Sequence, residues 1–225
     1  MRILTVDTAT RRGMVAAVED GKIVASAEHD RQTTHAERLF GMVDEVLGAA
    51  GWEPSSIELL AVGKGPGSFT GVRVGMAAAK GVGFALKTPM VGVVSLDAMA
   101  HAGRRRAGAV PVLALLDAKK GEVFAACYDA AGNLLVGPDH IPRSDVDMWL
   151  GSAVERSGLT VVGEVVGELA LEDIVWVRDG ECDLPGPASM AALAWDVWKT
   201  DPTDQLDTLE PLYVRPPDIT KPANR

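Results

Sequence analysis

The 225 residues carry 22 Lys and Arg against 31 Asp and Glu, a formal charge of −9 at pH 7. An acidic surface repels phosphate, so the chain is a poor candidate for gripping nucleic acid alone. Hydrophobic residues at 47% and charged residues at 24% exclude a mostly disordered chain and supply a sizeable core, in one domain or two small ones.

Cys127 and Cys182 are too few for a disulfide framework and match no zinc spacing, so both read as reduced thiols. The opening MRILTVDTAT enters an alternating strand pattern without the apolar stretch of a secretion signal. The most apolar window, 74–86, is interrupted by Lys80 and is too short for the ~30 Å of a bilayer core. The expectation is a soluble, cytoplasmic chain with no membrane contact.

In chain order, Ile3, Leu4 and Val6 lead to Asp7 as a first strand, and 14–18 and 22–27 form a hairpin around the turn signal Asp20-Gly21. A helix is predicted over 34–50, opened by a capping box of Thr34 and Glu37. Ala36, Leu39, Phe40, Val43, Val46, Leu47 and Ala50 share its apolar side, and Met42 widens the stripe. A buried strand over 57–62 runs into the loop Gly63-Lys64-Gly65-Pro66-Gly67-Ser68 and a second helix over 68–86. A strand over 90–94 and a helix over 95–106 with a basic end follow. Next, LALLDAKKGEVFAACYDAAGNLL repeats the plan of LTVDTATRRGMVAAVEDGKIV. Each has an apolar run, an Asp (Asp7; Asp117), two basic residues with Gly, an Ala-Ala pair and an acidic turn, which reads as duplication into two related lobes. Helices are predicted over 144–156 and 187–199, short strands over 160–162 and 174–177, and an extended tail from Pro211.

The glycine loop is neither a Walker A sequence nor a dinucleotide fingerprint. It either makes a tight strand-to-helix turn or contacts a phosphate at the helix N-terminus. In the helix after it, Gly71, Gly75, Ala79 and Gly83 recur every fourth residue, and the only charges are Arg73 and Lys80. Each glycine costs a helix about 1 kcal/mol against Ala, so close packing is the expected compensation. The apolar residues spread around most faces, which calls for cover by the 34–50 helix or by another polypeptide. No His pair has helical spacing, so no metal site is read. Asp7 and Asp117 stand at equivalent strand ends, where carboxylates either hold metal-bound phosphates or cap turns.

The block GKGPGSFTGVRVGMAAAKGVGFALKTPMVGVVSLDAMA, with ILTVDTAT, THAERL, LLDAKKGEVFAACYD and EPLYVR in the same order, resembles the TsaB (YeaZ) family. That resemblance implies an α/β fold of two duplicated actin-like/Hsp70-like ATPase (ASKHA) lobes, mixed sheets flanked by helices, divided as 1–105 and 106–225. It implies a non-catalytic scaffold that docks a catalytic relative, TsaD, for threonylcarbamoyl transfer to adenosine 37 of ANN-decoding tRNAs. TsaD carries a metal-binding His pair whose positions fall at Ser95 and Met99 here, so ATP and metal are expected on partner subunits and no cofactor on this chain. The implied partner-binding set is His35, Leu39, Met42, Val43, Val46, Gly71, Val72, Arg73, Gly75, Met76, Ala79, Lys80 and Gly83. Asp7, Gly65, Gly67 and Ser68 are the candidates for nucleotide contact. Further implied partners are the ATPase TsaE, a second copy when TsaD is absent, and tRNA only indirectly. The rival expectation is a stand-alone ATP-dependent enzyme or peptidase of the same fold, using Asp7, Asp117 and the 63–68 loop. A third is a family member recruited to another pathway.

Overall fold

The structure, a computed structural model, describes residues 1–29, 35–165, 169 and 171–215, with the side chains of 35–37 and 153 outside that set. Its first sheet holds β1 (Arg2–Asp7), β2 (Gly13–Glu19), β3 (Lys22–His29), β4 (Leu59–Gly63) and β5 (Met90–Val93) in the order β3-β2-β1-β4-β5. The hairpin strands pair antiparallel, and β4 and β5 add in parallel. The second sheet holds β6 (Val112–Lys119), β7 (Glu122–Tyr128), β8 (Leu134–Pro142), β9 (Thr160–Val162) and β10 (Val175–Trp176). Its order, β8-β7-β6-β9-β10, repeats the first with the same strand directions. The duplication read from sequence is thus a duplication of topology, and the registers coincide: Ala16 faces Thr5 as Ala125 faces Leu115.

The helices are α1 (His35–Ala50), α2 (Phe69–Leu86), α3 (Ser95–Ala107), α4 (Val146–Leu150), α5 (Gly180–Asp183) and α6 (Pro187–Thr200). The period-2 alternation of each strand sends successive side chains to opposite faces, so both sheets are covered twice. In β1 and β4, Leu4, Val6, Leu60 and Val62 point to α1 and α2, while Ile3, Leu59 and Ala61 point to α6. In β6, Val112, Ala114 and Leu116 meet α3, while Leu113 and Leu115 meet α4. Helices α3 and α6 lie together between the sheets. They are exchanged between the halves: α3 follows the first sheet in the chain but packs on the second, and α6 does the reverse.

Several local expectations change. Thr34 of the capping box lies outside the described residues. The strand expected from residue 57 starts at Leu59, because Pro54–Ser56 winds into a short 3-10 turn. The helix expected over 144–156 shrinks to α4 between two 3-10 turns, since Gly151 takes a φ of +59° and breaks it. Past α6 the chain returns as a strap along the outer edge of β5. Met90 N–H donates to Asp204 Oδ1 (2.9 Å), Gly92 N–H donates to Gln205 Oε1 (3.0 Å), and Leu212 N–H donates to the Lys64 carbonyl (2.7 Å). This occupies an edge that would otherwise invite pairing with another chain. The extended tail expected from Pro211 forms no helix or strand and is docked on the chain as far as Arg215, while Pro216, Pro217 and Pro222 lie outside the described residues. Among the described residues no helix is long and apolar enough to cross a membrane.

Candidate functional site

The small-residue ridge of α2 faces inward, which corrects the expectation that it meets another polypeptide. Residues 8–10 leave β1 directly under the first turns of α2. A Cβ at Gly71 would run into the Thr8 carbonyl oxygen, and one at Gly75 into Thr8 Oγ1. The gap closes with a hydrogen bond, Thr8 Oγ1–H donating to the Gly71 carbonyl at 2.6 Å. Farther along, a Cβ at Gly83 would lie 2.8 Å from Leu206 Cδ1 of the strap and 3.1 Å from Leu60 Cδ1. Ala79, Val72 and Met76 are buried in the same core, and so are Leu39, Met42, Val43 and Val46 of α1. Of the partner-binding set, Arg73 is exposed, Lys80 is half-buried, and the His35 side chain lies outside the described residues.

The surface that α1 and α2 do present is a different stripe. Phe84 is 81% exposed and Phe40 56%. Ala77, Gly81 and Ala85 are exposed between them, and Gly41, Gly48 and Gly81 have open space where a Cβ would stand. Phe40 lines one small crevice with Ala78 and Val82, so the two helices share a continuous apolar face. Helical spacing sets Arg73, Ala77, Lys80 and Phe84 along one line of it. Sequence reasoning placed Phe40 on the core side of α1. The available signal was Gly81, which falls off the four-residue ridge and therefore faces elsewhere.

A second feature is a cleft of about 430 Å³ between the sheets, lined by Ala9–Arg11, Pro66–Thr70, Leu116–Lys120, Glu164 and Leu212–Arg215. Gly67 and Ser68 reach it, whereas Asp7 and Gly65 do not line it. Asp7 is buried against Gly63. Its Oδ1 accepts from Ala9 N–H at 3.0 Å, and Asp117 Oδ1 accepts from Lys119 N–H at 2.9 Å. Both carboxylates cap the turn two residues on, the second of the two roles open from sequence. Burial pushes Asp7 up to about 7 against the pull of Ala9 and Arg12. Burial also acts on Asp117, but the bonds from Lys119 and Arg143 outweigh it and hold that carboxyl below its ordinary value.

Ser95 and Met99 are buried in the first turns of α3 as core side chains. Among the described residues no three His, Cys, Asp or Glu side chains converge as metal ligands. His101 Nδ1 pairs with Ser189 Oγ (3.1 Å) and His140 Nε2 with Glu122 (2.9 Å). Both cysteines are free and buried, and burial pushes their thiols up to about 11 for Cys127 and about 12 for Cys182.

Two tandem sheets of identical topology around a cleft define the duplicated actin-like, Hsp70-like ATPase fold. A polyphosphate/ATP-glucomannokinase from Arthrobacter sp. strain KM is similar in fold, with a TM-score of 0.51 at 13% identity over 87% of this chain and 99% of its own. Within that class, a family model described as TsaD, tRNA N6-adenosine threonylcarbamoyltransferase, matches residues 23–151. The Escherichia coli tRNA threonylcarbamoyladenosine biosynthesis protein TsaB is 36% identical over 223 residues, covering 96% of this chain and 95% of its own. YeaZ from Pseudomonas aeruginosa superposes with a TM-score of 0.78 at 27% identity, over 94% of this chain and 99% of that one. The chain belongs to the TsaB (YeaZ) family of tRNA threonylcarbamoyladenosine biosynthesis proteins.

The fold class implies a nucleotide in the cleft, and among the described residues several of the groups its phosphates would need are already engaged within the chain. Ser68 N–H already donates to the Ala9 carbonyl (2.6 Å), and Gly71 N–H to Ser68 Oγ (3.2 Å). Lys119 Nζ is engaged by Asp117, Arg11 by Glu164 (2.6 Å), and Arg215 by the Ala118 carbonyl (3.1 Å).

Proposed function

We propose that this chain is a non-catalytic scaffold that docks the catalytic TsaD subunit. Docked, it holds TsaD in the conformation that transfers threonylcarbamoyl to adenosine 37 of ANN-decoding tRNAs in the cytoplasm. The observation that carries the reading is the exposed apolar face of α1 and α2 around Phe40, Gly81 and Phe84. A contiguous apolar surface on a folded chain marks an interaction site. Its small residues let a facing helix approach closely. The same face would hold a second copy when TsaD is absent, and TsaE joins the assembly through that pair. The charge of −9 fits a subunit that leaves tRNA to its partners.

Depleting the protein and measuring threonylcarbamoyladenosine in tRNA by mass spectrometry tests the role. The expected result is loss of the modification, restored by the wild-type chain but not by Phe84→Asp. Unchanged modification on depletion overturns the reading. The rival, a stand-alone ATP-dependent enzyme or peptidase, requires the isolated chain to bind and turn over Mg-ATP or a peptide, which titration calorimetry and product assays detect.

A further inference from the structure

The hexapeptide EPLYVR, singled out in the sequence, has no part in the scaffold reading so far. In the structure it crosses from one half of the molecule to the other. Leu212 N–H donates to the Lys64 carbonyl beside the first sheet (2.7 Å), and Arg215 reaches the Ala118 carbonyl (3.1 Å) and Glu122 (3.4 Å) on the second. Between these ties Tyr213 meets α2. Its ring packs on Phe69 with centroids 4.9 Å apart, and its hydroxyl accepts from Arg73 Nε–H at 2.6 Å. The Arg73 guanidinium carbon Cζ sits over the Phe69 ring, 3.7 Å from its centroid. Stacking and hydrogen bond together order an exposed side chain that would otherwise lose rotamer entropy on contact. Only Nε is used: the terminal nitrogens of Arg73 have no acceptor among the described residues. Arg73 also stands on the line of Ala77, Lys80 and Phe84, at the end of the apolar face.

We propose that Arg73 is a pre-set anchor for a carboxylate of the docked partner, held in its binding orientation by Tyr213 of the C-terminal strap. The inference rests on the docking reading above and names the chemistry at its rim. A guanidinium held through Nε, with both terminal nitrogens left over, matches a carboxylate bidentately, which a lysine does not. Because it is ordered before binding, less entropy is lost on contact. Tyr213 is a positioning residue that never needs to touch the partner.

The test is the dissociation constant between the purified chain and purified TsaD, by biolayer interferometry at low (~50 mM) and higher (~300 mM) salt. Arg73→Gln is expected to weaken binding about 10–30-fold at low salt and to flatten the salt dependence. Tyr213→Phe keeps the ring and the charge, and is expected to weaken binding about 3–10-fold with the salt dependence retained. The double variant is expected to bind no more weakly than Arg73→Gln alone, because the tyrosine acts through the arginine. Unfolding midpoints of all three variants should match wild type, since both side chains are exposed. Wild-type affinity for Arg73→Gln, or additive losses in the double variant, overturns the anchor. If Phe84→Asp abolishes binding while Arg73→Gln does not weaken it, docking stands and the anchor falls. If the wild-type chain shows no binding, or Phe84→Asp binds normally, the docking reading falls and takes the anchor with it.

Discussion

Asp7 is 2% exposed, and its Oδ2 has no hydrogen-bond partner among the described residues. A carboxylate in that position loses hydration without full repayment, so burial raises it from 3.8 to about 7. The folded chain then keeps a proton that the unfolded chain sheds across roughly pH 4 to 7. The stability this contributes is fully present below the unfolded value and is lost as pH rises through about 7. Asp7→Asn is therefore expected to raise the thermal midpoint at pH 8, with the gain shrinking towards pH 4. At most about 4 kcal/mol is at stake, at 1.36 kcal/mol per pKa unit. Calorimetry of both proteins across that range checks it, and a pH-independent difference counts against it. Glycines divide by the same kind of local accounting. Gly71→Ala pushes a methyl into the Thr8 carbonyl and is expected to cost ~2–3 kcal/mol or more, the overpacking penalty. Gly81→Ala meets open space in a helix and is expected to stabilise by ~0.5–1 kcal/mol. Urea unfolding of the pair resolves the opposite signs.

At the scale of the element, α2 is two helices in one. Its inner ridge of Gly71, Gly75, Ala79 and Gly83 lets it lie on Thr8, Leu60 and the strap, while its outer line from Arg73 to Phe84 meets solvent. Substitutions on the two lines should therefore fail differently. Gly75→Leu is expected to lower the unfolding midpoint sharply and to lose TsaD binding only because the chain no longer folds. Gly81→Arg is expected to keep or slightly raise the wild-type midpoint and to lose pull-down of TsaD. A folded, binding-competent Gly75→Leu, or a binding-competent Gly81→Arg, contradicts this division. The same logic holds for α1, where Leu39 and Val46 are core and Phe40 is surface.

Across the whole molecule, the exchange of α3 and α6 makes the two sheets interdependent. We propose that the duplication divides the covalent chain at 105/106, yet neither half carries all the helices its sheet requires. Without α6, the face of the first sheet formed by Ile3, Leu59, Ala61 and Val91 is open to water. A fragment of residues 1–105 is therefore expected to bind a dye for exposed apolar surface and to lack sharp near-UV dichroism, as a loosely packed state does. A cooperative, monodisperse fragment shows instead that the exchange is dispensable. The strap adds a second bond between the halves through Lys64, Arg73 and Glu122.

The hairpins, the duplicated plan, α3 with its basic end and the glycine loop before α2 were legible in the chain, because alternation, turn residues and helical spacing act over a few neighbours. Family membership was legible for the same reason, since it rests on contiguous motifs. What the chain could not show was which face of α2 looks inward. Two faces carry small residues, and only the passage of residues 8–10 beneath Gly71 and Gly75 chooses between them. Nor could it show that α3 and α6 change places, that Asp7 lies beneath Gly63 outside the cleft, or that Tyr213 returns across more than a hundred residues to Arg73. These are contacts between segments far apart in sequence. Burial and orientation there are decided by what the rest of the chain brings alongside, which no local pattern encodes.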